Sequence, residues 1–167
     1  MTMHDGPNGA SVDLLRRLET KVPPPLVALV IVAGMWLLAW VTPVVPLAVF
    51  ARVPIACVLA AGGLAFGLAG SLAFRRAGTT VNPLKPERAS QLVDSGVYRI
   101  TRNPMYLGLL LALIGLAVYL AAPLALPGPV VFAGYIHRFQ IKPEERALEA
   151  KFGSVYVDYK QRVRRWL

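Results

Sequence analysis

Tyr98, Arg99, Arg102 and Tyr106 crowd into one short stretch, and the run Pro-Met-Tyr-Leu-Gly-Leu-Leu-Leu that starts at Pro104 turns at once into a fully apolar block. Two guanidinium groups and two phenols thus gather where a helix enters a membrane. A cation at that depth is costly unless it snorkels to the interface or pairs with an anion, so each arginine is a candidate for binding chemistry. The same residues also suit plain anchoring, with arginine on the cytoplasmic side and tyrosine in the interfacial belt. A second candidate set lies downstream, where Glu144 and Glu145 follow Pro143. Carboxylates in a first helical turn often do no more than complement the helix dipole. Spacing alone does not choose between these roles.

Helices must position both sets. Pro104 suits the first helical position, where its fixed φ is preset and its missing N–H needs no partner. A length of 167 residues could make one soluble domain; 56% of the residues are hydrophobic and only 16% charged. The mean hydropathy of the whole chain is +0.53, and its apolar residues are gathered into long blocks nearly free of charge, which is the membrane pattern. The net charge of +9 lies between and after these blocks and forms no single face. It therefore points to an anionic phospholipid surface and not to nucleic acid. The lone Cys57 excludes an internal disulfide or a cysteine metal cluster, and no metal is expected.

In chain order, residues 1–10 are polar. Residues 11–21 place Val12, Leu14, Leu15 and Leu18 on one face, with Ser11 as cap; the segment reads as an interfacial amphipathic helix or as an extension of the next one. The first apolar block runs from Pro23 to about Thr42, with Trp36 and Trp40 as an interfacial belt at its far end. It is long for a signal-peptide core and no small-residue cleavage site follows. A proline-punctuated connector over 43–52 leads to the second block, about 53–74, where Gly63, Gly67 and Gly70 recur at helical spacing. In lipid such a stripe lets helix backbones approach closely, and its spacing is not that of a dinucleotide loop.

The polar loop 75–103 holds a short helix over 87–93, and a loop this long is usually functional. The third block, 104–122, carries a second small-residue stripe in Gly108, Ala112 and Gly115; the fourth, about 129–141, is short and ends in a basic tail. Pro143 opens one tail helix that Gly153 closes, and Ser154 caps another with Tyr156, Tyr159 and Val163 on one side. Lysine and arginine beside each span place both termini and the 75–103 loop in the cytoplasm, with four spans. The expected fold is an all-α integral membrane protein of about four transmembrane helices plus a cytoplasmic helical tail. It divides into an N-terminal tail and interfacial helix (1–22), a first helix pair (23–74) and a third region of cytoplasmic loop, helical hairpin and tail (75–167).

Two motifs carry a resemblance. Gly96-x-Tyr98-Arg99-x-x-Arg102-Asn103-Pro104-x-Tyr106, followed by Glu144-Glu145-x-x-Leu148-x-x-x-Phe152-Gly153-x-x-Tyr156-x-x-Tyr159, resembles the isoprenylcysteine carboxyl methyltransferase and phospholipid methyltransferase superfamily. Gly78-Thr79-Thr80-Val81-Asn82-Pro83 and Leu92-Val93 look like its small bacterial members. The resemblance covers roughly residues 75–167; the first two blocks match in character alone. It implies a methyltransferase of the bacterial inner membrane that uses S-adenosylmethionine without a Rossmann domain and takes a lipophilic acceptor from the bilayer. By motif position it places Tyr98, Arg102, Asn103, Pro104, Tyr106 and Leu107 on one wall of the cofactor pocket, and Glu144 and Glu145 on another, with Arg102, Tyr106 and Glu145 as the catalytic group. Asn103 departs from the histidine common in the family. It can hydrogen-bond but not titrate, so no proton-transfer role carries over to it.

These residue types suit the implied chemistry. Arg102 is expected to clasp the cofactor carboxylate as a planar fork. Glu145 or Glu144 would accept from ribose hydroxyls or the ammonium, and Tyr106 offers a ring and a polar handle. An amine acceptor would need a base, for which Glu145 is the candidate; a carboxylate or thiolate acceptor would need none. Two other functions compete: a sterol-reductase-like enzyme using NADPH, which would have many more spans, and a non-catalytic four-span scaffold or lipid-binding protein.

Overall fold

The computed structural model describes residues 19–46, 48–78 and 91–167, and those residues are helical with no strand. Most of the amphipathic segment expected over 11–21 and of the short helix expected over 87–93 lies outside the described residues. Helix α1 is Pro24–Trp40, α2 is Val49–Arg76, α3 is Pro104–Leu120 and α4 is Pro127–Ile136. A π-helical turn, His137–Ile141, leads into α5, Lys142–Phe152, and α6 is Ser154–Arg162. Short 3-10 turns at Gly96–Arg99 and Pro123–Ala125 precede α3 and α4.

Among the described residues α2 is the helix long and apolar enough by itself to cross a membrane; its 28 residues reach about 42 Å at 1.5 Å per residue. The apolar helices α1 and α3, of 17 residues each, reach about 25 Å. α2 begins inside the stretch read as connector and admits Pro54 in its second turn, where one backbone bond is lost. Its outer face shows Val58, Leu64 and Leu68 to the surroundings. An apolar face this large is what a bilayer covers. Trp36 meets Tyr119 with ring centroids 6.4 Å apart and Trp40 is 87% exposed, which puts aromatic rings together at one end of the helices.

The pairing of α2 with α3 is the most extensive in the fold, and glycine makes it possible. A Cβ on Gly63 would sit 2.5 Å from the carbonyl oxygen of Gly108, and one on Gly108 equally close to that of Gly63. Gly70 abuts Pro104 and Met105, and Gly115 faces the Ala56 carbonyl at 3.0 Å. Numbers that climb on α2 fall on α3, so the helices run antiparallel. Gly67 departs from the expected stripe: a Cβ there would meet nothing within 4 Å, because its contact with Gly108 is through its backbone nitrogen. α4 lies against α1 where Gly128 receives Met35, and Phe132, Ile136 and Ile141 are completely buried.

The fourth apolar block does not end at Ile141. α4, the π turn and α5 follow one another without a break from Pro127 to Phe152, so Pro143 lies inside a continuous rod. Proline cannot donate to the carbonyl four residues back, that of Phe139. The Thr20 N–H donates to it instead, at 2.9 Å. Glu19 braces the same junction, pairing with Arg138 at 2.6 Å and with Arg146. Gly153 ends α5 as expected, at φ +55°, and its carbonyl accepts from Tyr156 and Val157 at the start of α6. Tyr156, Tyr159 and Val163 form a second small core with Leu92, Leu148 and Phe152.

Candidate active site

The start of α3 is held from two sides. Tyr98, in the 3-10 turn, is buried with its ring edge-on to Phe74, centroids 5.4 Å apart. Its carbonyl accepts from the Tyr159 hydroxyl at 2.8 Å. Burial, with Tyr159 and Glu144 nearby, pushes the Tyr98 hydroxyl well above its ordinary range. Pro104 takes the first helical position as expected, and Asn103 precedes it without capping the helix. The Asn103 amide donates to the Arg165 carbonyl at 2.9 Å, and the Thr101 hydroxyl donates to the same oxygen at 3.2 Å. The Arg102 N–H donates to the Arg164 carbonyl at 3.0 Å. The segment after α6, at Arg164 and Arg165, is thereby stitched across the start of α3.

The hairpin of α3 and α4 brings the two motifs together. Glu145 meets Arg102, with Nη1 3.0 Å from Oε1, and Tyr106 donates its hydroxyl to Glu144 at 2.5 Å. Consecutive residues on a helix point about 100° apart, so the two glutamates divide the work between two clusters. Leu107 and Pro104 are buried behind them. Arg99 stays exposed at the surface, where plain anchoring accounts for it.

The Glu144 cluster is a shared acceptor. Oε1 takes the Tyr106 hydroxyl and, at 2.7 Å, the Gln140 amide from one turn earlier. Burial raises the carboxyl from its usual value to about 7, against the lowering effect of those two hydrogen bonds. The π turn makes this possible, since one wide turn inserts a residue and resets the face that Gln140, Glu144 and Glu145 present. Burial, with Glu145 beside it, likewise lifts the Tyr156 hydroxyl to about 12.

The Glu145 cluster is cationic overall. Arg165 grips the carboxylate with both prongs, Nε to Oε1 at 3.0 Å and Nη2 to Oε2 at 2.6 Å. Its third nitrogen faces His137 Nδ1 at 3.4 Å. The Arg102 side chain is only 9% exposed, and among the described residues neither its Nε nor its Nη1 has an aligned hydrogen-bond acceptor. A buried guanidinium whose Nη1 meets Glu145 only out of line and whose Nε has no acceptor is costly, and a carboxylate group on a ligand would complete its hydrogen bonding. The residues present thus fit a cofactor that carries a carboxylate.

Arg165, Gln140, His137 and Tyr156 were not singled out from sequence as site residues. Gln140 was findable from its spacing of four before Glu144. Arg165 was one of eight basic residues in the tail with nothing local to mark it. Beside the site, an open apolar groove of about 430 Å³ lies between α3 and α4, lined by Leu110, Ile114, Val118, Val130 and Ala133 among others. Leu110 is one turn beyond Tyr106, and Ala133 one turn before His137.

Comparison with known proteins gives these contacts a family. The phospholipid methyltransferase family pattern matches residues 51–155. Protein-S-isoprenylcysteine O-methyltransferase B of Arabidopsis thaliana is 37% identical over 91 residues, 53% of this chain and 45% of that protein. The rat protein-S-isoprenylcysteine O-methyltransferase is 36% identical over 115 residues, 63% of this chain and 39% of that protein. An uncharacterized protein of Haemophilus influenzae is 51% identical over 63 residues, 38% of this chain and its own whole length. The alignments span less than half of the two isoprenylcysteine methyltransferases, and no solved structure matches significantly. With most of its length inside the family pattern, and with Arg102, Tyr106, Glu144 and Glu145 within that match, the chain belongs to the phospholipid methyltransferase family.

Proposed function

We propose that the protein is an integral-membrane methyltransferase that uses S-adenosylmethionine and a lipophilic acceptor, with four spans and both termini in the cytoplasm of a bacterial inner membrane. The observation that carries this reading is the convergence of Arg102 with Glu145 and of Tyr106 with Glu144, two motifs separated in sequence and joined by one helical hairpin. Anchoring alone gives no reason for a buried guanidinium paired with Glu145 only out of line.

When bound, S-adenosylmethionine supplies a methyl group activated by its sulfonium. Arg102 would hold the cofactor carboxylate, and Glu145 would accept from the ammonium or a ribose hydroxyl. Tyr98, Asn103, Pro104, Tyr106 and Leu107 would complete the wall. The groove between α3 and α4 would take the apolar part of an acceptor such as a phospholipid amine or an isoprenylcysteine-like carboxylate. Displacement of this kind needs alignment and exclusion of water more than it needs acid–base help. Where the acceptor is an amine, a proton must leave it. Glu144 suits that task better than Glu145, because two guanidinium groups occupy Glu145 whereas burial raises the Glu144 carboxyl to about 7.

Calorimetric titration of the purified protein with S-adenosylmethionine and, separately, with NADPH tests the reading. Binding of the first and not the second is expected. Arg102→Lys and Glu145→Gln should each weaken it at least tenfold, since lysine cannot form a bidentate contact and the amide loses the charge. Wild-type affinity in both variants would return these residues to anchoring; binding of NADPH alone would favour the reductase-like function.

A further inference from the structure

The chain end is part of the site. Residues 163–167 follow α6 without helix, and three hydrogen bonds tie the carbonyls of Arg164 and Arg165 to Thr101, Arg102 and Asn103. Trp166 packs on the main core. From this tether Arg165 reaches Glu145 and closes on it as a two-pronged fork.

The contrast between the two arginines on Glu145 is informative. Arg165 takes both carboxylate oxygens in aligned hydrogen bonds. Arg102 approaches one oxygen within 3.0 Å but out of line, and its Nε and Nη1 make no hydrogen bond among the described residues. A carboxylate beside two guanidinium groups, with only one other claim on it, would be expected to fork with the more buried of them, where the attraction is screened least. That is Arg102, whose side chain is 9% exposed against 31% for Arg165. The strap holds the Arg165 backbone beside Glu145 through its hydrogen bonds to Thr101, Arg102 and Asn103.

We propose that Arg165 is a positioning residue, held by the Asn103 latch, that takes the two-pronged fork on Glu145, limits Arg102 to a one-sided, out-of-line ion pair with it, and so leaves Arg102 donors to the carboxylate of an amino-acid-bearing ligand. Asn103 then has a task at the position where histidine is common: its amide donor anchors the strap. The unaligned Arg102 donors are read from the contacts around Glu145; the identity of the ligand rests on the methyltransferase reading.

The test has two arms. In the first, the thermal shifts of Arg102→Gln, Glu145→Gln and the double variant give the coupling of that pair, in the wild-type background and with Arg165→Gln. Release of Glu145 should at least double the non-additivity in melting temperature; equal coupling in both backgrounds overturns the inference. In the second arm, S-adenosylhomocysteine and methylthioadenosine are titrated; they share the nucleoside and the thioether, and only the first bears an amino-acid carboxylate. Arg165→Gln should weaken S-adenosylhomocysteine tenfold or more and leave methylthioadenosine within twofold. Asn103→Asp, which sets a carboxylate against the Arg165 carbonyl, should act in the same direction if Arg165→Gln does not fold. Unchanged S-adenosylhomocysteine affinity in the variant that folds overturns the positioning role and leaves the methyltransferase reading intact. If neither probe binds the wild type, that reading falls, and the coupling arm alone decides the inference.

Discussion

Glu144 makes the stability of the protein depend on pH in a direction unusual for a carboxylate. Its carboxyl is raised from 4.5 to about 7, chiefly by burial. The folded state therefore favours the protonated form, and the stability this contributes is fully present below about pH 4.5 and lost as the pH rises through about 7. The shift corresponds to about 3 kcal/mol of difference between the ends of that window, at roughly 1.4 kcal/mol per pH unit. Glu144→Gln keeps an oxygen that can accept from Tyr106 and Gln140 but cannot ionise. The variant should melt close to wild type at pH 5 and higher at pH 8, by about 6–12 °C at the 2–4 °C per kcal/mol usual for chains of this size. Thermal melts in detergent at half-unit steps from pH 5 to 8 give the comparison, and other titrating groups cancel because both proteins carry them. A difference between the two proteins that does not change with pH would refute the reasoning. So would a wild type that gains on the variant as pH rises, because that is the sign of a carboxylate stabilised by its charge.

The glycine contacts make a second prediction: Gly63→Ala and Gly108→Ala should each destabilise by ~1–3 kcal/mol in thermal melts, since a methyl group there meets backbone that cannot yield, whereas Gly67→Ala, with open space at its Cβ, should leave the melt nearly unchanged. Topology is checked by cysteine labelling of intact cells in a Cys57→Ala background: a cysteine near Pro127 should react from outside and one near Lys160 only after permeabilisation, with the reverse pattern refuting the charge-based arrangement.

Much of the cleft was legible in the residues. Pro104 at the first helical position, the arginine and tyrosine around it, and the paired glutamates after Pro143 are local patterns, and local patterns reflect backbone rules that hold in any fold. A hairpin of two helices returns the chain to its starting side, so connectivity brings the two sets near each other, but it does not say that Arg102 meets Glu145 and Tyr106 meets Glu144. The same holds for Gly63 and Gly108, whose spacing announced close packing before any partner was known.

Register and long-range pairing were decided by the tertiary structure. Nothing within a few residues of Pro143 tells that a distant Thr20 N–H satisfies the carbonyl proline leaves open, and so the continuous rod from α4 to α5 looked like two helices. The small-residue stripe did not say that Gly67 offers its backbone while Gly63 offers its missing side chain. That depends on the rotation of α2 against α3. Among eight basic residues in the tail, Arg165 is singled out by the strap that carries it to Glu145. Sequence composition set which groups were available for pairing; which of them share a carboxylate was set by how the chain end crosses the start of α3, because an ion pair depends on distance in space and not on separation along the chain.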